Sequence, residues 1–228
     1  MLVGTYKDYQ REVLLYVNAI GGNVPAHRSA AKHLYSFSSK SFAEQLSIWN
    51  YIWCNTESFW VRVHAFFFLE RNMKKDATLQ QMWTVVVNWQ DYVDGWGLCD
   101  SLAKIYTKIL VITPAEVYKQ LKKWNSDNDL WKRRQSVVSL LYYSSVKKDY
   151  LPFDKIEKLI TALLNDKEYY VQKGVGWAIR EMYSVYPKET FPWLRRHIKS
   201  VSSIAFTIAI EKMNEAGKHE LKRLRKLK

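Results

Sequence analysis

Val171-Gln172-Lys173-Gly174-Val175-Gly176-Trp177-Ala178-Ile179-Arg180-Glu181 is the stretch on which the reading of this chain turns. It lies in a segment, residues 168–186, whose apolar positions recur at helical spacing. Two glycines inside a helix cost roughly 1 kcal/mol each relative to alanine. Their presence asks for a neighbouring helix or a backbone that comes close. Trp177, next to Gly176, is then either exposed at that opening or packed in the core.

Working outward, the same periodicity predicts helices over 6–20, 25–35, 41–51, 57–71, 76–88, 98–111, 114–124, 128–143, 153–164, 189–198 and 203–216. Residues 36–41 read as a polar break. Thr113-Pro114-Ala115-Glu116 is a strong start signal, with an N-cap Thr, a Pro at the first helical position and a Glu at the capping-box position. Asn128 is expected to cap the helix after it. Clean strand alternation never exceeds a few residues. Trp96, Trp131 and Trp177 each read as lying near the start of a helical stretch, at intervals near the HEAT-like repeat period of about 40–47 residues. The fold class is therefore all-α: a HEAT-like helical-repeat superhelix of antiparallel helix pairs with a concave basic face. Residues 1–228 show no linker and read as one domain, with 218–228 as a basic, frayed C-terminal tail.

Composition limits the function classes. There are 35 Lys and Arg against 22 Asp and Glu, a net charge of +13 that favours a polyanionic partner. With 48% hydrophobic and 15% aromatic residues the chain is too apolar to be disordered. Cys54 and Cys99 are too few for a disulfide framework or a Cys-rich zinc site, so a reducing cytoplasm is expected. No apolar run suits a membrane span, and the N-terminus lacks the pattern of a signal peptide. The common phosphate-loop, GxSxG and HExxH signatures are missing, and the five histidines have no ligand spacing. Neither metal nor cofactor is expected.

Two more segments carry chemistry. In Gly95-Trp96-Gly97-Leu98-Cys99-Asp100, a carboxylate four residues after a Trp shares its helical face if the turn is continuous. An indole beside a carboxylate suits a cationic, planar group. The other reading makes Trp96 a core residue and Asp100 a carboxylate held by the helix dipole, with Asp91 and Asp94 as alternatives. In Asn128-Asp129-Leu130-Trp131-Lys132-Arg133-Arg134, three successive cations cannot all face inward, so at least one meets solvent or a polyanion. Trp83, Trp89, Trp124 and Trp193 read as core, as does Cys99.

Together these segments resemble the AlkD-like DNA glycosylases, a HEAT-like-repeat family of DNA alkylation repair enzymes. The match is strongest over Val171–Glu181, with Trp131 and Arg134, and Trp96 and Asp100, in order before it. The likeness covers about residues 76–213. It implies excision of N3- and N7-alkylated purines from duplex DNA without full extrusion of the base, unlike the general base-flipping pattern. Asp100 matches the family's catalytic carboxylate, Trp96 and Trp177 the tryptophans that hold the damaged nucleotide, and Arg134 an arginine near the backbone phosphate. Lys132, Arg133 and Lys173 are expected to grip DNA phosphates. The chain is expected to act as a monomer. The competing expectations are a non-catalytic relative that binds damaged, bent or branched DNA by shape, and a HEAT-like protein scaffold.

Overall fold

The computed structural model describes residues 4–142 and 150–227, and among these the chain is helical without a strand. It divides into two compact units, residues 1–112 and 113–228.

The first unit holds α1 (Tyr6–Asn18), α2 (Val24–Ala30), α3 (Phe42–Cys54), α4 (Phe59–Asn72), α5 (Asp76–Val86), a 3-10 segment (Val87–Tyr92) and α6 (Trp96–Ile112). Local chemistry sets the helix starts. Thr5 and Asp8 form a reciprocal capping box on α1, and Ser41 and Glu44 another on α3. α4 packs against α1, α2, α3, α5 and α6, and every residue from Val61 to Leu69 is buried. A helix enclosed on all sides forms the centre of its unit. Two charged or titratable side chains go in with it. Arg62 donates to the carbonyls of Thr56 (2.8 Å) and Tyr92 (2.9 Å). His64 sits 3.1 Å (Nε2) from His27 Nδ1 and 3.3 Å (Nδ1) from the Tyr35 hydroxyl. His27 stacks on Trp60 with ring centroids 3.9 Å apart. Burial, helped by the neighbouring His27, Arg71 and His33, pushes the His64 pKa down to about 4. Two buried indoles satisfy their donors: Trp53 Nε1 donates to the Trp89 carbonyl, and Trp89 Nε1 to Asn50.

The second unit holds α7 (Pro114–Asn125), α8 (Leu130–Val138), α9 (Phe153–Ala162), α10 (Tyr169–Val185), α11 (Pro187–Arg196), α12 (Ser203–Ala209) and α13 (Glu215–Lys226). α10 is its hub and packs on α8, α9, α11 and α12. The two glycines explain how. A Cβ on Gly176 would lie 2.7 Å from the Ala205 carbonyl oxygen and 2.9 Å from Ala205 Cα, so α12 rides directly on the α10 backbone. A Cβ on Gly174 would meet Arg134 and Val138 of α8 at 3.2–3.3 Å.

Several boundaries differ from the sequence reading. The expected helix over 203–216 ends at Ala209, because Asn214 caps a new helix by accepting from Gly217 N–H. That new helix replaces the expected frayed tail over 218–226, and Lys228 lies outside the described residues. Leu221 is fully buried, and Arg225 donates to the carbonyls of Ile198 (3.1 Å) and Val201 (2.7 Å). Asp129, not Asn128, caps α8, because its carboxylate accepts from Trp131 N–H at 2.7 Å. α8 ends at Val138 rather than 143, and Tyr143 lies outside the described residues. α2 ends at Ala30 rather than 35. Thr113 makes no side-chain capping bond although Pro114 opens α7 as expected. Trp177 lies mid-helix rather than near a helix start. Trp83, Trp89, Trp124, Trp193 and Cys99 are buried, as expected.

Candidate functional site

In the first unit the candidate residues stand at the start of α6. The helix runs unbroken from Trp96, so Trp96 and Asp100 sit one turn apart on one face. Leu98, Cys99, Leu102 and Ala103 point inward and fix the rotation of the helix. Trp96 is 58% exposed, which excludes a core role. Asp100 is half-buried and lies beyond the first turn, so a capping role at the helix dipole does not account for it. Asp91 and Asp94 are exposed, and Asp94 sits 3.6 Å from the Arg62 guanidinium.

An aromatic neighbour, not singled out by the sequence, completes this face. The Phe59 ring would stand 3.4 Å from a Cβ on Gly97, against the first turn of α6, and is 43% exposed. Trp60 meets Phe59 edge-on at 5.1 Å and is itself braced by His27. An exposed indole, a half-buried carboxylate and an exposed phenylalanine ring thus gather at the first turns of α6. Such a surface suits a flat cation.

In the second unit the candidate residues lie on α8 and α10. Arg134 is only 5% exposed and donates to the Tyr170 carbonyl at 2.7 Å. Arg133 pairs with Asp166 at 2.6 Å and donates to the carbonyls of Asp127 and Asn128. Lys132 sits 3.8 Å from Asp127. Of the three successive cations, one is buried and two are half-buried with acidic partners. Trp177 is half-buried, with the Tyr142 ring 5.1 Å away.

Here too the structure adds residues. Trp131 and Tyr170 have ring centroids 5.1 Å apart, and Tyr170 and Tyr169 5.2 Å apart. The exposed Lys173 places its ammonium 5.4 Å from the Tyr169 ring. Tyr169 and Tyr170 are both exposed. Aromatic faces beside a cation provide stacking and phosphate contact together. The pattern Tyr169-Tyr170 just upstream of Lys173 was the available signal.

Among the described residues no three His, Cys, Asp or Glu side chains are grouped to hold a metal ion, and no helix is long and apolar enough to cross a membrane.

A family model described as DNA alkylation repair enzyme matches residues 7–213. The chain belongs to that family. The match carries the family likeness through α1–α4, which the sequence reading left outside its 76–213 range. Solved structures give the same fold. The structure of AlkD2 from Streptococcus mutans is 17% identical with a TM-score of 0.64, covering 92% of this chain and all of that one. A predicted DNA alkylation repair enzyme from Enterococcus faecalis is also 17% identical, with a TM-score of 0.68 over 85% of this chain and 87% of that one. The smu.31 structure from Streptococcus mutans UA159 is 15% identical, with a TM-score of 0.59 over 97% and 98%. No curated protein matches. The alkylation repair family thus supplies a repair role for a helical protein whose exposed faces carry indole, phenol and cation.

Proposed function

We propose that this repair protein is a monofunctional DNA glycosylase that releases N3- and N7-alkylated purines from duplex DNA without fully flipping the base. The observation that carries the reading is the exposed Trp96 with Asp100 one turn further along an unbroken helix. Alkylation at N3 or N7 makes the purine cationic and weakens its glycosidic bond. The base then departs without a general acid. Positive charge builds on the sugar as the bond breaks, and the Asp100 carboxylate stabilises it and orients the attacking water.

Trp96 in one unit and Trp177 in the other each offer an indole face that favours a charged lesion over a neutral base. At about 0.5–2 kcal/mol per contact, such selection is modest, and the lability of the lesion supplies the rest. Phe59 is the apolar wall beside Trp96. Lys132 and Lys173 contact phosphates, and Tyr169 and Tyr170 offer stacking faces. Arg134, buried against Tyr170, acts as a positioning residue for α10 rather than as an open phosphate clamp. Arg133, bound to Asp166, acts likewise for the α8 start.

Incubation with a duplex containing N7-methylguanine, with free base measured against time, tests this reading. Release above the spontaneous rate that is lost in Asp100→Asn is the expected result. Salt-sensitive binding without release replaces the enzyme with the shape-reading binder. Failure to bind DNA at low salt leaves a protein scaffold.

A further inference from the structure

The last three helices gather charge that the proposed lesion chemistry does not use. Residues 187–227 contain ten Lys and Arg against four Asp and Glu. α13 is docked by one face only: Leu221 is fully buried, Gly217 meets Phe191, and Arg225 is bonded to the carbonyls of Ile198 and Val201. Lys199 secures its end by donating to the carbonyls of Arg225 and Leu227. The opposite face exposes Lys222, Arg223 and Lys226. Their side chains make no hydrogen bond and no ion pair among the described residues. Beside the helix, Pro192, Arg195, Arg196 and Leu224 line an open recess of about 360 Å³. Arg195 is paired with Glu220 at 3.1 Å, whereas the Arg196 side chain has no such partner among the described residues.

We infer that the outer face of α13 is a second, sequence-independent contact for the phosphate backbone of duplex DNA, outside the lesion site. Three observations favour this partner. Lys222 and Lys226 are one turn apart, about 6 Å along the helix axis, which suits successive phosphates of one strand. The cations sit on a helix anchored by a buried leucine and by backbone-directed arginine bonds, so the surface is in place before DNA arrives and little ordering opposes binding. The apolar face of α13 is already used within the protein, so the helix has no face to sink into a lipid bilayer. Concentrated like charge is unfavourable in the free protein, and phosphate relieves it while releasing counterions.

This inference rests on the reading that the chain binds duplex DNA, but not on its being a glycosylase. The test uses undamaged duplex DNA and the full-length chain. Lys222→Gln, Arg223→Gln and Lys226→Gln are combined, and a charge-matched control combines Lys7→Gln, Lys74→Gln and Lys75→Gln at exposed sites of the first unit. Circular dichroism melting checks that both remain folded. The α13 variant is expected to bind about tenfold more weakly at 0.1 M salt, and the slope of log K against log salt is expected to shrink by about 2–3. The control is expected to keep nearly the wild-type slope. An unchanged slope in the α13 variant, or an equal loss in the control, overturns the inference and leaves the glycosylase reading intact. Tighter binding to phosphatidylglycerol-containing vesicles than to duplex DNA also overturns it. If the wild-type chain binds no duplex at low salt, this inference and the DNA reading fall together.

Discussion

The start of α6 and the crossing of α8 with α10 carry the two halves of the same family resemblance, yet they are built in opposite ways. At α6 the named side chains project: Trp96 is exposed and Asp100 half-buried, while their neighbours Leu98 and Cys99 form the core. At α8 and α10 the named residues largely hold the helices together, through the buried Arg134 and the glycines that admit Arg134 and Ala205. A motif read along the chain therefore mixes residues that project to the surface with residues that hold the helices in place. Substitutions in the first region should change chemistry at constant stability, and those in the second should change stability first.

The largest effect is expected from Asp100→Asn. Removing a group that stabilises transition-state charge is worth about 10²–10³-fold in rate. Single-turnover base release should fall by that factor, while the melting temperature stays within about 2 °C of wild type, since ~1 kcal/mol shifts it by ~2–4 °C in a chain of this size. A large drop in melting temperature would return Asp100 to a structural role and erase the contrast.

Acid should separate the two units next. Among the described residues only the first buries an imidazole pair, and the His64 pKa is depressed to about 4 by burial. A base with a lowered pKa in the folded state is protonated first in the unfolded chain. Its contribution is complete above pH ~6.5 and is lost as pH falls toward 4, at most about 3 kcal/mol before solvent screening reduces it. Hydrogen exchange at pH 7.5 and 4.5, corrected for intrinsic rates, should show protection falling in α2–α4 more than in α10–α12. His64→Gln should remove most of that difference.

A smaller loss is expected from Gly176→Ala. The added methyl group meets main-chain atoms of Ala205, and overpacking of this kind costs about 1–3 kcal/mol. Urea unfolding measures it, and an unchanged midpoint would show that α12 can slide away without penalty. Trp96→Ala should give the smallest free-energy change, about 0.5–2 kcal/mol. It should appear as weaker binding of the cationic lesion, with undamaged duplex affinity and stability unchanged. Equal loss for damaged and undamaged DNA would make Trp96 a general stacking surface.

The helices were legible because their causes are local, apolar spacing above all and the proline that opens α7, whereas the side-chain caps read at Thr113 and Asn128 are not the ones the chain uses. α13 was hidden because a dense run of cations obscures the few residues that dock it, Gly217, Leu221 and Leu224 among them. The burial of Arg134 was hidden for a related reason. A run of charges does not reveal which member finds a carbonyl inside, and the space for this one is made by Gly174, on another helix. The placement of Trp96 and Asp100 on one helical face needed only one continuous turn and was visible. Phe59 was not, because its place against Gly97 is decided by how α4 and α6 pack.

The approach of α12 to α10 has a consequence for how such a chain diversifies. Where a single methyl group would strike a neighbouring main chain, no repacking of side chains nearby can make room, so replacement at residue 176 requires a whole helix to be re-seated. Keeping this crossing therefore confines position 176 of this chain to a residue without a side chain.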